Sequence, residues 1–238
     1  MCESKTSFRR SPLSRSRTFA PSHVQLRTER FGHGAFAVEM VLPRAADELI
    51  DVSEFNRDER LPYWADLWPS ARGLTRHLLD GPVPPGRIVE LGCGVALPSL
   101  ALRWRGVPVL ATDYYEEALE FARRNAEENG IPAPDTLLVD WRTPPRGLGL
   151  FDLVLAADVL YEKRNAEALV GLLPRVVAPG GRALVADPGR LYFADFRAGM
   201  EGLGWRVREV EVREEPSGVG EGSVIRVSIV ELQRDPKL

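Results

Sequence analysis

Cysteine is nearly missing from this chain: Cys2 and Cys93 are the two among 238 residues. So few exclude a disulfide framework and make a reducing compartment, the cytoplasm, the expected location. Histidine is almost as scarce. His23, His33 and His77 share no metal-ligand spacing with one another or with a cysteine, so no metal is expected. No apolar run approaches the length of a membrane span, and no membrane association is expected. An excess of one charge is lacking too: 31 Lys and Arg stand against 34 Asp and Glu, a net charge of -3. The chain as a whole therefore has no pull toward nucleic acid. What it does have is 44% hydrophobic residues, enough for a full core.

Three stretches differ in character. Residues 1–24, "MCESKTSFRRSPLSRSRTFAPSHV", are rich in Ser and Arg, without the apolar stretch of a secretory signal, and read as a disordered basic tail. Residues 25–83 alternate Phe36, Val38, Met40 and Leu42 with other residues, the mark of a strand or hairpin near the site's entrance, and then lead into a helix over "PSARGLTRHLL". From residue 84 to 238, strand-like and helix-like segments alternate, the pattern of a parallel sheet. Strands are expected in "RIVELGC", "VPVLATD", "TLLVD", "FDLVLAAD" and "RALVAD", the third and fourth buried on both faces. The clearest helix is "YEEALEFARRNAEENG". Ala118, Leu119, Ala122 and Ala126 share one of its faces, Glu120 and Arg124 are spaced to pair, and Gly130 closes it. A second helix carries Leu169, Leu172, Leu173, Val176 and Val177 on a stripe, with Pro174 kinking it and Pro179-Gly180-Gly181 ending it. The last two strands, joined by "PSGVGEG", leave no room for a crossover and must be antiparallel. The expected fold is α/β: a Rossmann-like, seven-stranded, mostly parallel sheet with helices on both faces and an antiparallel last strand.

The turn after the first of these strands, "VELGCGVALPSLAL", places Gly92 and Gly94 where a dinucleotide fold wants its first two glycines, but Leu97 where it wants the third. Glu90, two residues before the turn, would repel a pyrophosphate and suit a ligand with a cationic amine or a sulfonium. S-adenosylmethionine carries both and no phosphate. Asp113, at the end of the next strand, stands where doubly wound folds hold ribose hydroxyls. Asp140 and Trp141, after the third strand, offer an acceptor for an adenine amino group and an indole to cover a ring. Each acid has an ordinary structural use as a cap or turn residue. Their placement at three consecutive strand ends is what points to a nucleoside site.

These residues resemble a known family. "VELGCGVALPSLAL", "VLATDYYEEALEFARRNAEENG", "VDW", "FDLVLAADVLY" and "LLPRVVAPGGRALVA" look like the successive motifs of class I, seven-β-strand methyltransferases. "PYWADLWPSARGLTRHLL" and the Asp-x-x-Tyr of "DVLY" are similar to the protein-lysine methyltransferase branch. The resemblance covers roughly residues 60 to 190. It implies S-adenosylmethionine as cofactor, with Glu90, Gly92 and Gly94 beside its methionine part, Asp113 on the ribose, Asp140 and Trp141 on the adenine, and Trp68 opposite. One departure is that Val95-Ala96 stand where the branch often has a further small residue or glycine, and the branched Val95 narrows the loop.

Methyl transfer to nitrogen needs an aligned, dry approach and an amine free of its proton. Asp158 and Tyr161, at the end of the fourth strand, offer a carboxylate to orient or deprotonate an amine and a ring that tolerates positive charge. Tyr63 and Trp64 are read as packing residues. The expected activity is transfer to a protein lysine, with a protein as partner. A small-molecule N-methyltransferase of the same fold, or a non-catalytic subunit that binds the cofactor, are the alternatives. A nicotinamide oxidoreductase is opposed by Glu90 and Leu97. Nucleic-acid methylation lacks both a basic stripe and an Asn-Pro-Pro-Tyr type motif.

Overall fold

In Ile88–Leu91 (β3), Phe151–Ala157 (β6) and Val177–Asp187 (β7), apolar residues occupy consecutive positions. Neighbouring side chains of a strand point to opposite faces. Ile88, Leu153, Leu155, Leu184 and Ala186 accordingly enter one buried cluster, and Val89, Leu91, Val154, Ala156, Ala183 and Val185 another. A sheet with a core on each side follows from that pattern alone. The computed structural model of the protein describes residues 25–44, 61–218, 220 and 222–234. The expected basic tail, residues 1–24, lies outside them.

Helices Pro69–Asp80 (α1) and Leu97–Trp104 (α2) supply Leu74, Leu78 and Leu102 to one face of the sheet, and Glu116–Glu128 (α3) packs beside them. Lys163–Val176 (α4) and Phe193–Gly202 (α5) cover the other face through Leu169, Leu172, Phe196 and Met200. With Leu110–Asp113 (β4), Asp135–Leu138 (β5), Trp205–Pro216 (β8) and Val224–Arg234 (β9), the sheet has the order β5-β4-β3-β6-β7-β9-β8. All neighbours are parallel except β9, which runs antiparallel between β7 and β8. The expected α/β architecture and its antiparallel last strand are borne out. Strand order reverses at β3, so the carboxyl ends of β3, β4 and β6 open a crevice there.

Three local expectations need correction. β5 is the edge strand, and Leu137 and Leu138 are exposed rather than buried on both faces. Its apolar run was indistinguishable from that of a central strand. α4 runs through Pro174 and ends at Val176, before the Pro-Gly-Gly, and Val177 begins β7 instead of completing the helical stripe. Pro174 sits close enough to the helix end that few hydrogen bonds remain for it to break. On α3, Arg124 reaches forward to Glu128 (3.8 Å), one turn beyond the expected pairing with Glu120.

Strands Leu26–His33 (β1) and Phe36–Pro43 (β2) form a separate hairpin. Phe36, Val38, Met40 and Leu42 are buried with Phe31 against Leu97, Leu100 and Ala101 of α2 and Ala126 of α3. Two asparagines one helical turn apart complete the contact. Asn125 accepts from Val41 N (2.7 Å) and donates to Val41 O (3.2 Å), and Asn129 does the same for Glu39 (2.8 and 2.9 Å). Each carboxamide thus serves the outer edge of β2 as a neighbouring strand would. Asn125 is fully buried, so Asn125→Ala strands two backbone groups without partners. Denaturant unfolding is expected to show a loss of about 2 kcal/mol; a loss below a few tenths would mean that the edge is satisfied without it.

Candidate active site

Burial, more than charge, governs Glu90. It stands next to last in β3 with 1% of its surface exposed, and its Oε2 accepts from Ser99 N (3.0 Å) and from Ser99 Oγ. Desolvation pushes its carboxyl up to about 8, against the opposing pull of the two Ser99 bonds, and the nearby charge of Asp113 adds to the rise. At pH 7 it therefore mostly carries its proton in the protein on its own. Exclusion of a pyrophosphate does not need its negative charge. The Ser99 amide, in the first turn of α2, is one that a phosphate would claim, and Glu90 already holds it.

The turn that follows is pinned from both sides. Gly92 has φ of +68°, and a Cβ there would stand 3.1 Å from both Trp141 Cζ2 and Val159 Cγ1. Gly94 has φ of +50°, and its Cβ would meet the Trp64 carbonyl at 3.1 Å. Both positions require glycine. Val95 lines the cavity and also packs into the cluster under the hairpin, and Ala96 takes up the left-handed turn at φ of +64°. Asp113, at the end of β4, ties the loop down: Gly94 N donates to Oδ2 (2.9 Å) and Tyr115 N to Oδ1 (3.1 Å). Beyond β5, Asp140 is held by Arg142, whose Nη2 lies 2.8 Å from Oδ2 and whose backbone N lies 2.9 Å from Oδ1. Glu90, Gly92, Gly94, Asp113, Asp140 and Trp141 all line one cavity.

Trp68, Asp158 and Tyr161 line the same cavity. Trp68 caps α1 and donates its indole N–H to Tyr63 O (2.7 Å). The Tyr63 ring stands edge-on to Trp68 (6.2 Å between centroids) and to Tyr161 (4.9 Å), so three aromatic rings border one part of the cavity. Tyr63 belongs to this wall and is more than the packing residue expected from sequence; Trp64 is buried against Phe121. Asp158 is engaged on both oxygens. Oδ2 accepts from Ser70 Oγ (3.1 Å) and Oδ1 from Arg190 Nε (2.7 Å), and its backbone is left-handed at φ of +59°. The nine residues expected from sequence converge on one cleft. Sequence reasoning missed Ser70, Ser99, Arg142 and Arg190, which hold the acids. Arg142 was visible as the residue following "DW", and Arg190 follows a strand-end acid, Asp187, of the same kind as those singled out.

A family model described as a methyltransferase domain matches residues 88–181. Over that segment the chain is similar to class I, S-adenosylmethionine-dependent methyltransferases. Curated relatives of this chain include the electron transfer flavoprotein β-subunit lysine methyltransferases of Xenopus laevis and Rattus norvegicus. They are 35% and 34% identical over 137 residues, which is 56% of this chain and 55% and 53% of those proteins. A ubiquinone biosynthesis O-methyltransferase of Xylella fastidiosa is 29% identical over 133 residues, 53% of this chain and 51% of that one. The chain thus spans about half the length of the curated relatives it matches. Among solved structures, the magnesium protoporphyrin IX methyltransferase of Synechocystis PCC 6803 with bound S-adenosylmethionine superposes with a TM-score of 0.55 at 20% identity, over 78% of this chain and 86% of that one, and shares the fold.

The cofactor is S-adenosylmethionine, and the cavity's chemistry fits it. Of the charged residues lining the cavity, Asp66, Glu90, Asp113, Asp140 and Asp158 are acids, and Arg142, bound to Asp140, is the base. Such a lining suits a cationic, phosphate-free nucleoside. A cation beside Glu90 favours its charged form, so binding should expel a proton. Affinity for S-adenosylmethionine is expected to rise with pH up to about 8 and then level off. Calorimetry near pH 7 should give heats that depend on the buffer's ionisation enthalpy in the wild type and not in Glu90→Gln. Stability carries the opposite sign. The folded carboxyl titrates above its unfolded value, so the stability it confers is complete below pH ~4.3 and is lost as pH rises toward 8. Glu90→Gln should flatten that fall, by about 1 kcal/mol per pH unit. Buffer-independent heats in the wild type would contradict this account.

Proposed function

We propose that this methyltransferase transfers a methyl group to the ε-amine of a lysine side chain on a protein. The observation that carries the reading is the aromatic border of Tyr63, Trp68 and Tyr161 continuous with the cofactor cavity. The lysine methyltransferases among the relatives support it. Bound S-adenosylmethionine supplies a methyl carbon on a sulfonium, which leaves as a neutral thioether. The chain has to deliver an amine with its lone pair free. A lysine begins as an ammonium with a pKa of about 10.4, and an aromatic, poorly hydrated mouth favours its neutral form. Tyr63, Trp68 and Tyr161 supply those walls, and their ring faces tolerate the charge that returns to nitrogen as its bond to carbon forms. The proton leaves to water before attack, and the sulfur keeps the electron pair of the broken bond. We assign Asp158 and Tyr161 to orienting the acceptor. Glu90, Gly92, Gly94, Asp113, Asp140 and Trp141 are assigned to holding the donor, and Trp68 to the wall where donor and acceptor meet.

The likeness to a ubiquinone biosynthesis O-methyltransferase gives a small-molecule acceptor a footing as the second reading. Purified protein, donor labelled in the methyl group and dialysed whole-cell protein separate the two. Label should appear in the protein fraction, on lysine by mass spectrometry. Tyr161→Ala should lower incorporation roughly ten- to hundredfold through lost alignment while S-adenosylmethionine still binds. Label confined to small molecules when undialysed extract is used would sink the lysine reading.

A further inference from the structure

Around the aromatic mouth the contacts form a closed circuit. Tyr161 meets Tyr63 (4.9 Å), Tyr63 meets Trp68 (6.2 Å), and the Arg190 guanidinium lies over the Trp68 ring (5.2 Å). Arg190 Nε then donates to Asp158 (2.7 Å), three residues before Tyr161 on the same turn. Arg190 is the link that joins the two ends. Its own position is fixed by the loop after β7, where Gly189 N and Arg190 N both donate to Asp187 Oδ1 (2.7 Å each). We propose that Arg190 is a positioning residue of the transfer reaction, holding Asp158 and Trp68 together around the acceptor mouth and taking up the charge of Asp158.

The charge matters because the acceptor must arrive neutral. A bare carboxylate at the mouth would stabilise a lysine ammonium and oppose its deprotonation. Asp158 is instead paired, with 1% of its side chain exposed, and neither of its partners, Arg190 and Ser70, lines the cavity. Asp187 is equally buried, and its Oδ2 has no hydrogen-bond partner among the described residues. Burial pushes the Asp187 carboxyl up, and so does the charge of Asp158; the two backbone N–H bonds and the charge of Arg190 pull it down. From α1 the neutral Ser70 hydroxyl faces the pair. One guanidinium thus keeps two adjacent buried acids compatible, and both end strands that frame the cleft.

This inference rests on the lysine reading for its catalytic part, so one readout is independent of activity. Arg190→Met, Arg190→Lys and, as a surface control, Arg197→Met are made in the full chain. Arg197 pairs with Glu201 on an exposed face of α5. Without the guanidinium, Asp187 retains its proton to higher pH, and the thermal stability deficit of Arg190→Met should widen between pH 5.5 and 8. Labelling of dialysed whole-cell protein at pH 7 should fall roughly ten- to hundredfold, with the rising limb of its pH profile displaced upward. Affinity for S-adenosylmethionine should stay within about threefold of the wild type, a change under 0.7 kcal/mol. Arg190→Lys, which keeps the charge and serves if Arg190→Met does not fold, should restore the pH profile more fully than the rate, since an ammonium does not cover the indole as a planar group does. The proposal is overturned if Arg190→Met matches Arg197→Met in both pH dependences, or if it labels protein faster, which would make Arg190 a placeholder for the substrate. A widened stability deficit in an enzyme that labels no protein lysine would leave the clasp standing and remove the substrate reading.

Discussion

Glu90, Asp113, Asp140, Asp158 and Asp187 stand at or just past the carboxyl ends of neighbouring parallel strands, and four of the five are buried. A parallel sheet brings those ends to one edge, so the acids necessarily share a cleft. Buried acids are tolerated only when donors reach them. The donors come from several elements: Ser99 of α2 for Glu90, loop amides for Asp113, Arg142 for Asp140, Ser70 of α1 and Arg190 for Asp158, and the turn at Gly189 and Arg190 for Asp187. Satisfying the acids is therefore what ties α1, α2 and the loops to the sheet edge. The shape of the site follows from that requirement.

Strain concentrates at the same edge. Ala96 and Asp158 are the described residues other than glycine with left-handed backbones, at a cost of order 1 kcal/mol each. Ala96 begins α2 so that the Ser99 amide faces Glu90. Asp158 sends its side chain to α1 and the β7 loop while the chain goes on to Tyr161. In both cases a side-chain bond to a buried acid holds a conformation that the backbone alone would leave. The crossover from β5 to β6 adds to the economy of the site. Residues 139–150 run without a helix and bring Trp141 straight from the sheet edge to the glycine turn, where its ring closes the space beside Gly92.

The sheet was legible because long apolar runs bounded by glycine and acids have few other readings. The convergence of Glu90, Asp113 and Asp140 on one cleft was legible for a related reason: they occur at fixed places relative to strands, so strand prediction carries them along. Legibility failed where sequence distance is large. Ser70 and Arg190 meet at Asp158 from positions 88 residues before it and 32 after it, and no local pattern links them. It failed also where one residue type has two uses. Asp187 is both an acid ending β7 and the start of an Asp-Pro-Gly turn, and the turn reading conceals the other. β5 reads as buried because exposure of an edge strand is decided by its neighbours and not by its own four residues.

The electrostatics of the two halves of the cleft differ in a way that composition could not show. Both contain acids, yet the side proposed for the donor keeps Glu90 protonated by burial, ready to release its proton to solvent when a cation arrives, while the side proposed for the acceptor keeps Asp158 paired to an arginine. A cationic donor gains from an acid that can ionise when it arrives. An amine that must react as the neutral base gains nothing from a free carboxylate, because the attraction would be for its unreactive form. An acid-rich cleft serves a cationic donor and a neutral nucleophile together only if its charge is divided in this manner. The division rests on Ser99 and the burial of β3 on one side and on Arg190 over Trp68 on the other.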